Sequence, residues 1–180
     1  MSRNRYVRDY RLVENIDARG RIKTTYEYIG KAYYYVLSPE AARRGARRAL
    51  ICCAAGWLAF AGALLPLSTA ARTVYVALPF AFAALPLGMM TALTFGQLSA
   101  KEPLEHRLAD QAQNRCPACS FFTALLSGAG LLGEGVNLLR GLALLPGDGL
   151  FSLGAAALMA CALTAHRQWK ALQSAPRPGK

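Results

Sequence analysis

Long apolar stretches separated by short polar ones dominate residues 49–166. A helix needs about 20 apolar residues to cross a hydrocarbon layer about 30 Å thick. Four runs of roughly that length contain few or no charges, and they predict four membrane-spanning helices, at about residues 49–68, 73–98, 120–141 and 149–166. The second run contains two prolines, which predict a bend in its helix because proline cannot continue the hydrogen-bond ladder.

The first 37 residues have a different pattern, in which apolar and polar residues alternate as they do in strands. Tyr10, Leu12 and Ile16 share one parity, and so do Ile22, Thr24, Tyr26 and Tyr28. With the turn-like sequence DARG between them, these segments predict a two- or three-stranded β-meander. So small a unit rarely supplies enough core to be stable alone. We therefore expect it to rest on the inner membrane face, on residues 99–118, on a second copy or on another protein.

The predicted fold is a membrane all-α protein, a four-transmembrane-helix bundle with a small β-rich head. The head is residues 1–37, the transmembrane domain residues 38–166, and a basic, disordered tail residues 167–180. Ser38 and Pro39 predict a helix start before the first span, and Asp148 is a predicted N-cap of the fourth helix. The link 99–118 has Leu104, Leu108 and Ala112 on one side, which predicts an amphipathic helix on the membrane surface.

Positive charges are distributed unevenly along this chain of 180 residues, which is 54% hydrophobic and has a formal net charge of +11. If the N-terminus is cytosolic, the first 48 residues, the link and the tail together hold 19 of the 21 Lys and Arg residues. Basic segments resist translocation, so the pattern predicts both termini in the cytosol and a multi-pass protein of the cytoplasmic membrane. No signal-like run precedes residue 49. The Ala, Gly and Arg content suggests a bacterial source.

Four arginines lie directly before the first span, at Arg43, Arg44, Arg47 and Arg48. Guanidinium groups at this level contact anionic lipid headgroups, at about 1 kcal/mol each. Nucleic acid is not an expected partner, because the basic residues occur in no recognised nucleic-acid-binding motif. The expected partners are the bilayer with its anionic headgroups and either a protein partner or a second copy of the chain.

A Cys-Pro-Ala-Cys sequence, from Cys116 to Cys119, precedes the third span. In the predicted orientation all five cysteines face the reducing cytosol, where stable disulfides are not expected. Pro117 is suited to the first turn of a helix, and the positive end of a helix lowers the pKa of a thiol. Three interpretations are open: a structural role, thiol redox chemistry, or a zinc site completed by His106, His166 or a second subunit.

Four spans with a C-x-x-C motif resemble the quinone-coupled disulfide-forming proteins of the bacterial membrane and the vitamin K epoxide reductases. The resemblance is limited to the span count and to Cys116 and Cys119. It implies catalysis on the oxidising side and a second cysteine pair. The predicted topology places this motif in the cytosol and leaves the outer loops without cysteine, so we do not assign the chain to that family.

Glu134 is the one acid well inside a span, about 21 Å along the helix from Ser120. Ionisable residues at this depth suggest a functional site. Asn137 lies on the same helix face, and Arg72 at the outer start of the second span is a predicted partner of Glu134. The alternative to a transport role is that Glu134 and Asn137 join the helices by hydrogen bonds, worth about 0.6 to 2 kcal/mol each.

No complete enzyme motif occurs in the sequence. The leading hypothesis is therefore a non-enzymatic accessory or interaction subunit that binds partners through its head and residues 99–118. One alternative is a small solute or ion transporter that uses Glu134. Another is a thiol redox or zinc-binding membrane protein that uses Cys116 and Cys119. No cofactor is expected in the leading interpretation, and zinc belongs only to the last.

Overall fold

The protein is mostly helical, with four long apolar helical segments and a small N-terminal β-hairpin. The computed structural model describes residues 9–16, 22–65, 68–100, 104–141, 145–172 and 174–176. The predicted DARG turn and the residues before Asp9 lie outside these ranges. The helices are α1 (Pro39–Leu64), α2 (Val74–Phe82), α3 (Ala84–Ser99), α4 (His106–Asp110), α5 (Cys116–Leu139) and α6 (Pro146–Ala171).

Each apolar segment is long enough to cross a membrane: Glu40–Leu64, Val74–Ser99, His106–Leu139 and Gly147–Ala171. The second combines α2 and α3, and the third combines α4 and α5. The second is interrupted at Ala83, where the first helix ends and the next begins. Pro86 cannot donate to the carbonyl of Phe82 four residues earlier, so the ladder cannot continue through this point. The helical hydrogen-bond ladder is therefore interrupted between the two prolines that predicted a bend.

The helix starts agree with the sequence at α1 and differ at α6. The Ser38 hydroxyl accepts a hydrogen bond from the Ala41 N–H at 3.4 Å, as predicted for an N-cap. Asp148 is not the N-cap of α6, because the helix begins one turn earlier and the capping residue is Leu145. The Asp148 carboxylate accepts instead from the Leu145 N–H at 2.7 Å and from the Thr69 N–H and hydroxyl at 2.6 and 2.9 Å. It joins two connections between helices at this end of the bundle.

Residues Gln111–Arg115 form a π-helical turn that connects α4 to α5 without a break. The Cys116 N–H donates to the carbonyl of Gln111, five residues earlier. Pro117 follows directly after Cys116. A proline ring crowds the preceding helical turn and has no N–H to donate, and the wider π turn relieves this crowding. The predicted surface helix is therefore a continuation of the third spanning helix.

Close helix contacts pack the bundle at glycines. A Cβ atom at Gly154 of α6 would lie 2.7 Å from the Cβ of Ala63 in α1, and one at Gly133 of α5 would lie 2.8 Å from a methyl of Val76 in α2. Neither position has room for a side chain, so glycine permits these helices to approach. The core between them contains buried aromatic and aliphatic side chains, among them Phe80, Phe151, Leu87 and Leu158.

The head contains an antiparallel hairpin of β1 (Tyr10–Ile16) and β2 (Ile22–Tyr28). Its register pairs Tyr10 with Tyr28, Leu12 with Tyr26 and Ile16 with Ile22. The predicted alternation is confirmed, because these cross-strand pairs fall on one face of the hairpin.

A third strand, β3 (Tyr33–Tyr35), does not join the hairpin as a meander would require. It pairs with β4 (Ser174–Pro176) near the C-terminus. The sequence predicted a disordered tail from residue 167. In the structure residues 167–171 continue α6, and the following strand, β4, pairs the C-terminal segment with the head. Residues 177–180 lie outside the described part.

Candidate functional site

The polar segments outside the membrane helices meet at one end of the bundle. Tyr33 in β3 and Leu104 in the link exchange two backbone hydrogen bonds, of 3.1 and 2.8 Å. The same strand pairs with β4 on the C-terminal side of α6. The head, the link and the C-terminal segment, which the charge pattern places on one side of the membrane, are therefore in direct contact.

The base of the hairpin is attached to the link through a group of residues that we call the hairpin anchor: Asp9, Tyr10, Tyr28, Tyr33, Glu105 and His106. The Tyr28 hydroxyl accepts from the His106 N–H at 2.8 Å and donates to the Lys31 carbonyl at 2.9 Å. His106 Nδ1 lies 3.2 Å from an Asp9 carboxylate oxygen, and the His106 ring stacks on that of Tyr33 at 5.4 Å. Of the supports predicted for the head, the structure forms the one on residues 99–118.

Tyr10 completes the hairpin anchor by donating a hydrogen bond from its hydroxyl to the Glu105 carboxylate. Its ring packs edge-on against that of Tyr28, with the centroids 5.3 Å apart. Burial of the phenol, and then the hydrogen bond with Glu105, raise the pKa of Tyr10 to about 12. Tyr10 therefore remains a neutral donor throughout the physiological pH range.

The far part of the hairpin exposes apolar side chains on the face that carries Tyr10 and Tyr28. Leu12 is 59% exposed, Ile22 69% and Tyr26 72%. We call these three residues the hairpin ridge. Leu12 and Tyr26 lie directly opposite each other, so the ridge combines an aromatic and an aliphatic contact on a fixed backbone. Large apolar groups exposed outside the spanning helices are typical of interaction surfaces.

The two predicted redox or zinc cysteines lie inside the helix bundle. Cys116 is fully buried against a small core that includes Ala112 and Trp169, and Cys119 is 8% exposed. The α-helical hydrogen bonding begins at Cys116, with Pro117 in the first turn as predicted. The helix end is not free, however, because the π turn precedes it, so the positive helix terminus expected to activate the thiol is absent. All five cysteines are free thiols.

The two histidines lie at different places. His106 belongs to the hairpin anchor, whereas His166 Nδ1 lies 3.0 Å from the carbonyl oxygen of Pro117, between the two cysteines. Of the four residues predicted to bind zinc, the structure thus brings His166, Cys116 and Cys119 to one region of the chain. No three His, Cys, Asp or Glu side chains within the described ranges lie close enough to hold a metal ion.

Glu134 and Asn137 lie in a buried polar cluster between α5 and the start of α2. The Asn137 amide nitrogen donates to Glu134 Oε2 at 2.9 Å and to the Thr73 hydroxyl at 3.1 Å, and its oxygen accepts from the Tyr75 hydroxyl. Glu134 is 2% exposed, and its Oε1 has no hydrogen-bond partner among the residues that the structure describes. The predicted hydrogen bonds between the helices are present, and the second carboxylate oxygen of Glu134 takes no part in them. Both side chains are enclosed within the bundle.

The predicted partner of Glu134 is not found there. Arg72 is exposed and takes part in no ion pair within the described part of the chain. Thr73 and Tyr75 take part in the cluster instead, through hydrogen bonds to Asn137. The Arg140 guanidinium lies over the Tyr75 ring at 5.8 Å from its centroid. The sequence did not predict Thr73 or Tyr75 as members of this cluster. Tyr75 could have been noticed as the one tyrosine outside the head, but a threonine at the start of a span is ordinary.

Arg43, Arg44, Arg47 and Arg48 occupy the first three turns of α1, and all four are exposed. None forms an ion pair with a carboxylate among the residues that the structure describes. They are thus available to anionic groups outside the chain, as the sequence predicted, and they lie at the same end of the bundle as the hairpin anchor.

Comparison with protein-family models, with curated proteins and with solved structures gives no significant match. Four helices are long and apolar enough to cross a membrane, which indicates the class of multi-pass helical membrane proteins.

Proposed function

We propose that the chain is an accessory or interaction subunit of the cytoplasmic membrane, which binds a partner protein through the hairpin ridge in the cytosol. The single observation that carries this proposal is the exposure of Leu12, Ile22 and Tyr26 on a hairpin whose base is fixed to the membrane domain. A protein surface that buries these side chains would gain roughly 1.5 to 3 kcal/mol for each large apolar group it covers completely.

The attachment of the hairpin matters as much as its exposed face. The hairpin anchor uses both strand ends, through Tyr10 and Tyr28, and holds them to Glu105 and His106. A surface that is already ordered pays less conformational entropy when it binds. The ridge therefore has the features of a preformed binding surface held at a set distance from the bilayer.

The proposed orientation, with both termini in the cytosol, is supported by charge and by contacts. The first 48 residues, the link and the tail hold 19 of the 21 Lys and Arg residues, and the structure brings the head, the link and the C-terminal segment together at one end of the bundle. A single orientation thus keeps nearly all positive charge from crossing the membrane.

The binding proposal is tested by a mild-detergent pull-down of the intact protein, followed by mass spectrometry. Leu12→Ser with Tyr26→Ser removes the ridge. Arg11→Ser with Glu27→Ser is the matched control, because these two residues form the neighbouring cross-strand pair on the opposite face. We expect the first variant to lose a partner that the control retains. Equal recovery by both variants would overturn the proposal, and recovery of tagged and untagged copies alone would identify the partner as a second copy.

The orientation is tested with single added cysteines and a membrane-impermeant maleimide. Thr24→Cys lies on the exposed hairpin and Ala71→Cys on the exposed segment before α2. The five native thiols give the background, measured in the wild type. We expect Ala71→Cys to be labelled in intact cells and Thr24→Cys only after the cells are opened. The reverse pattern would invert the topology.

The unpaired Oε1 of buried Glu134 favours a second candidate, transport of a proton or a small cation. The chain, purified into proteoliposomes, would then carry a proton or sodium flux that Glu134→Gln abolishes without lowering the thermal stability. A flux that is unchanged in this variant, or absent from the wild type, would leave Glu134 with its structural role alone.

A further inference from the structure

A cavity of about 200 Å³ lies between α1 and α6 at the end of the bundle that carries β3 and β4. Its polar side is formed by Arg44, Arg48 and Gln168, and its apolar side by Leu37, Ala171 and Leu172. We propose that this cavity binds one anionic phospholipid, with the headgroup phosphate held by Arg44 and Arg48. The inference is independent of the hairpin ridge and of any partner protein.

The shape of the cavity follows from small residues on both helices. A Cβ atom at Gly45 would lie 3.1 to 3.3 Å from the side-chain carbons of Leu172, so glycine lets the end of α6 approach α1 closely. Ala41 and Ala171 keep the space beside this contact open. The cavity is therefore formed mainly by helix packing, and Leu37, which precedes α1, completes its lining.

The charge in the cavity suits a phosphate. Arg44 and Arg48 are four residues apart on one helix, which places them on the same face at a spacing of about 6 Å along the axis. Neither forms an ion pair with a carboxylate in the part of the chain that the structure describes, and Glu40, one turn earlier, is exposed without such a pair. Guanidinium groups bind phosphate oxygens through paired hydrogen bonds.

The position of the cavity favours a lipid over a free phosphate. Arg48 directly precedes the apolar run of α1, so both arginines lie at the level of the headgroups when the helix spans a bilayer. The apolar wall at Leu172 packs against Gly45, between the two arginines along α1, where it can contact the glycerol backbone of a lipid. A free anion would use the arginines and leave this wall uncovered.

The four arginines therefore divide into two pairs. Arg44 and Arg48 line the cavity, whereas Arg43 and Arg47 do not and are exposed to the surroundings. The second pair attracts any anionic surface. Arg44 and Arg48 line a site that binds one lipid molecule. The two pairs can therefore be distinguished by how their substitution changes the binding of the first lipid.

The experiment is a titration of the full-length protein in mild detergent with phosphatidylglycerol, followed by native mass spectrometry. Arg44→Gln with Arg48→Gln is expected to weaken retention of the first lipid by roughly 30-fold, because each arginine near an anionic headgroup contributes about a factor of five. Arg43→Gln with Arg47→Gln changes the net charge equally, and its affinity is expected to stay within about threefold of the wild type. Equal weakening by both double variants would overturn the proposal.

Two further arms separate the shape of the site from its charge and a lipid from a free anion. Ala171→Trp fills the cavity while keeping every charge, and it is expected to abolish binding of the first lipid. This variant also decides the question if the double glutamine variant does not fold. Phosphatidylcholine and inorganic phosphate are titrated in parallel. Competition by millimolar inorganic phosphate, or equal retention of the zwitterionic lipid, would exclude an anionic phospholipid site.

Discussion

Two tyrosine-centred networks join distant parts of this chain, and they differ in their access to water. The hairpin anchor links Tyr10 and Tyr28 to Glu105 and His106 in a partly exposed position. The buried cluster links Tyr75 to Asn137 and Glu134 between membrane helices. In the first network water can replace a lost partner, whereas in the second the loss of Asn137 leaves the buried Glu134 carboxylate without its partner.

The comparison separates two functions that the same chemical groups can have. The anchor sets the position of a surface and can be loosened without unfolding the bundle. The cluster holds α2 against α5 and also contains the unpaired Oε1 of Glu134. Polar groups are costly in a membrane interior unless they are hydrogen-bonded. An unpaired oxygen there is thus either a stability cost or a binding group.

The largest expected effect is that of Asn137→Leu. This substitution removes the bonds to Tyr75, Thr73 and Glu134 and leaves the buried Glu134 carboxylate without its donor, which we expect to cost about 2 to 4 kcal/mol. Thermal unfolding in detergent measures the effect as a lower Tm. Asn114→Leu is the control, since Asn114 is exposed and has one side-chain bond, to Asp110. An equal loss in both variants would contradict the distinction between the two networks.

Gly133→Ala tests the packing beside the same cluster. The new Cβ would meet a Val76 methyl at 2.8 Å, so α2 and α5 must separate, at a cost of about 1 to 3 kcal/mol. Gly135→Ala is the matched control, two residues along the helix and with no atom within 4 Å of its Cβ. There the higher helix propensity of alanine is expected to raise the Tm slightly. If the Tm changes in the same direction in both variants, Gly133 and Val76 are not in close contact in solution.

Local patterns in the sequence predicted the main elements because their physical causes are local. The four spans follow from the length of the apolar runs, the start of α1 from Ser38 and Pro39, and the two faces of the hairpin from alternation. Glu134 and Asn137 were predicted to face other helices, since a polar group is costly against lipid. Those parts of the prediction required no knowledge of which segments meet.

The remaining features depend on contacts between residues far apart in the chain. Nothing near Tyr33 or Ser174 indicates that β3 pairs with β4, and nothing near Asp148 indicates that its carboxylate also binds Thr69. The presence of Tyr75 in the buried cluster, where Arg72 was predicted, also depends on contacts between residues far apart in the chain. A single sequence gives the chemistry of such groups, and only the packing selects the partner.

Tyr28→Phe is expected to have a smaller and more local effect than the changes in the buried cluster. It removes the acceptor of the His106 N–H and the donor to Lys31, which together contribute roughly 1 kcal/mol. Hydrogen–deuterium exchange should become faster in β1 and β2 while the Tm of the bundle stays constant. Tyr26→Phe is the control, because Tyr26 is exposed on the same strand face. A lower Tm with unchanged exchange would show that the anchor belongs to the global folding unit.

The smallest expected effect is the alkaline release of the hairpin through Tyr10. Burial and the hydrogen bond with Glu105 raise its pKa from 10.0 to about 12. The stabilising contribution is thus complete below pH 10 and is lost as the pH rises through about 12, because only the protonated phenol can donate to the carboxylate. Tyrosinate absorbance, compared between wild type and Tyr10→Phe, should show one phenol titrating about two pH units late. If the phenol that is absent from Tyr10→Phe titrates near pH 10 in the wild type, water reaches the Tyr10 hydroxyl freely. The anchor is then held by Tyr28 and His106 without a contribution from Tyr10.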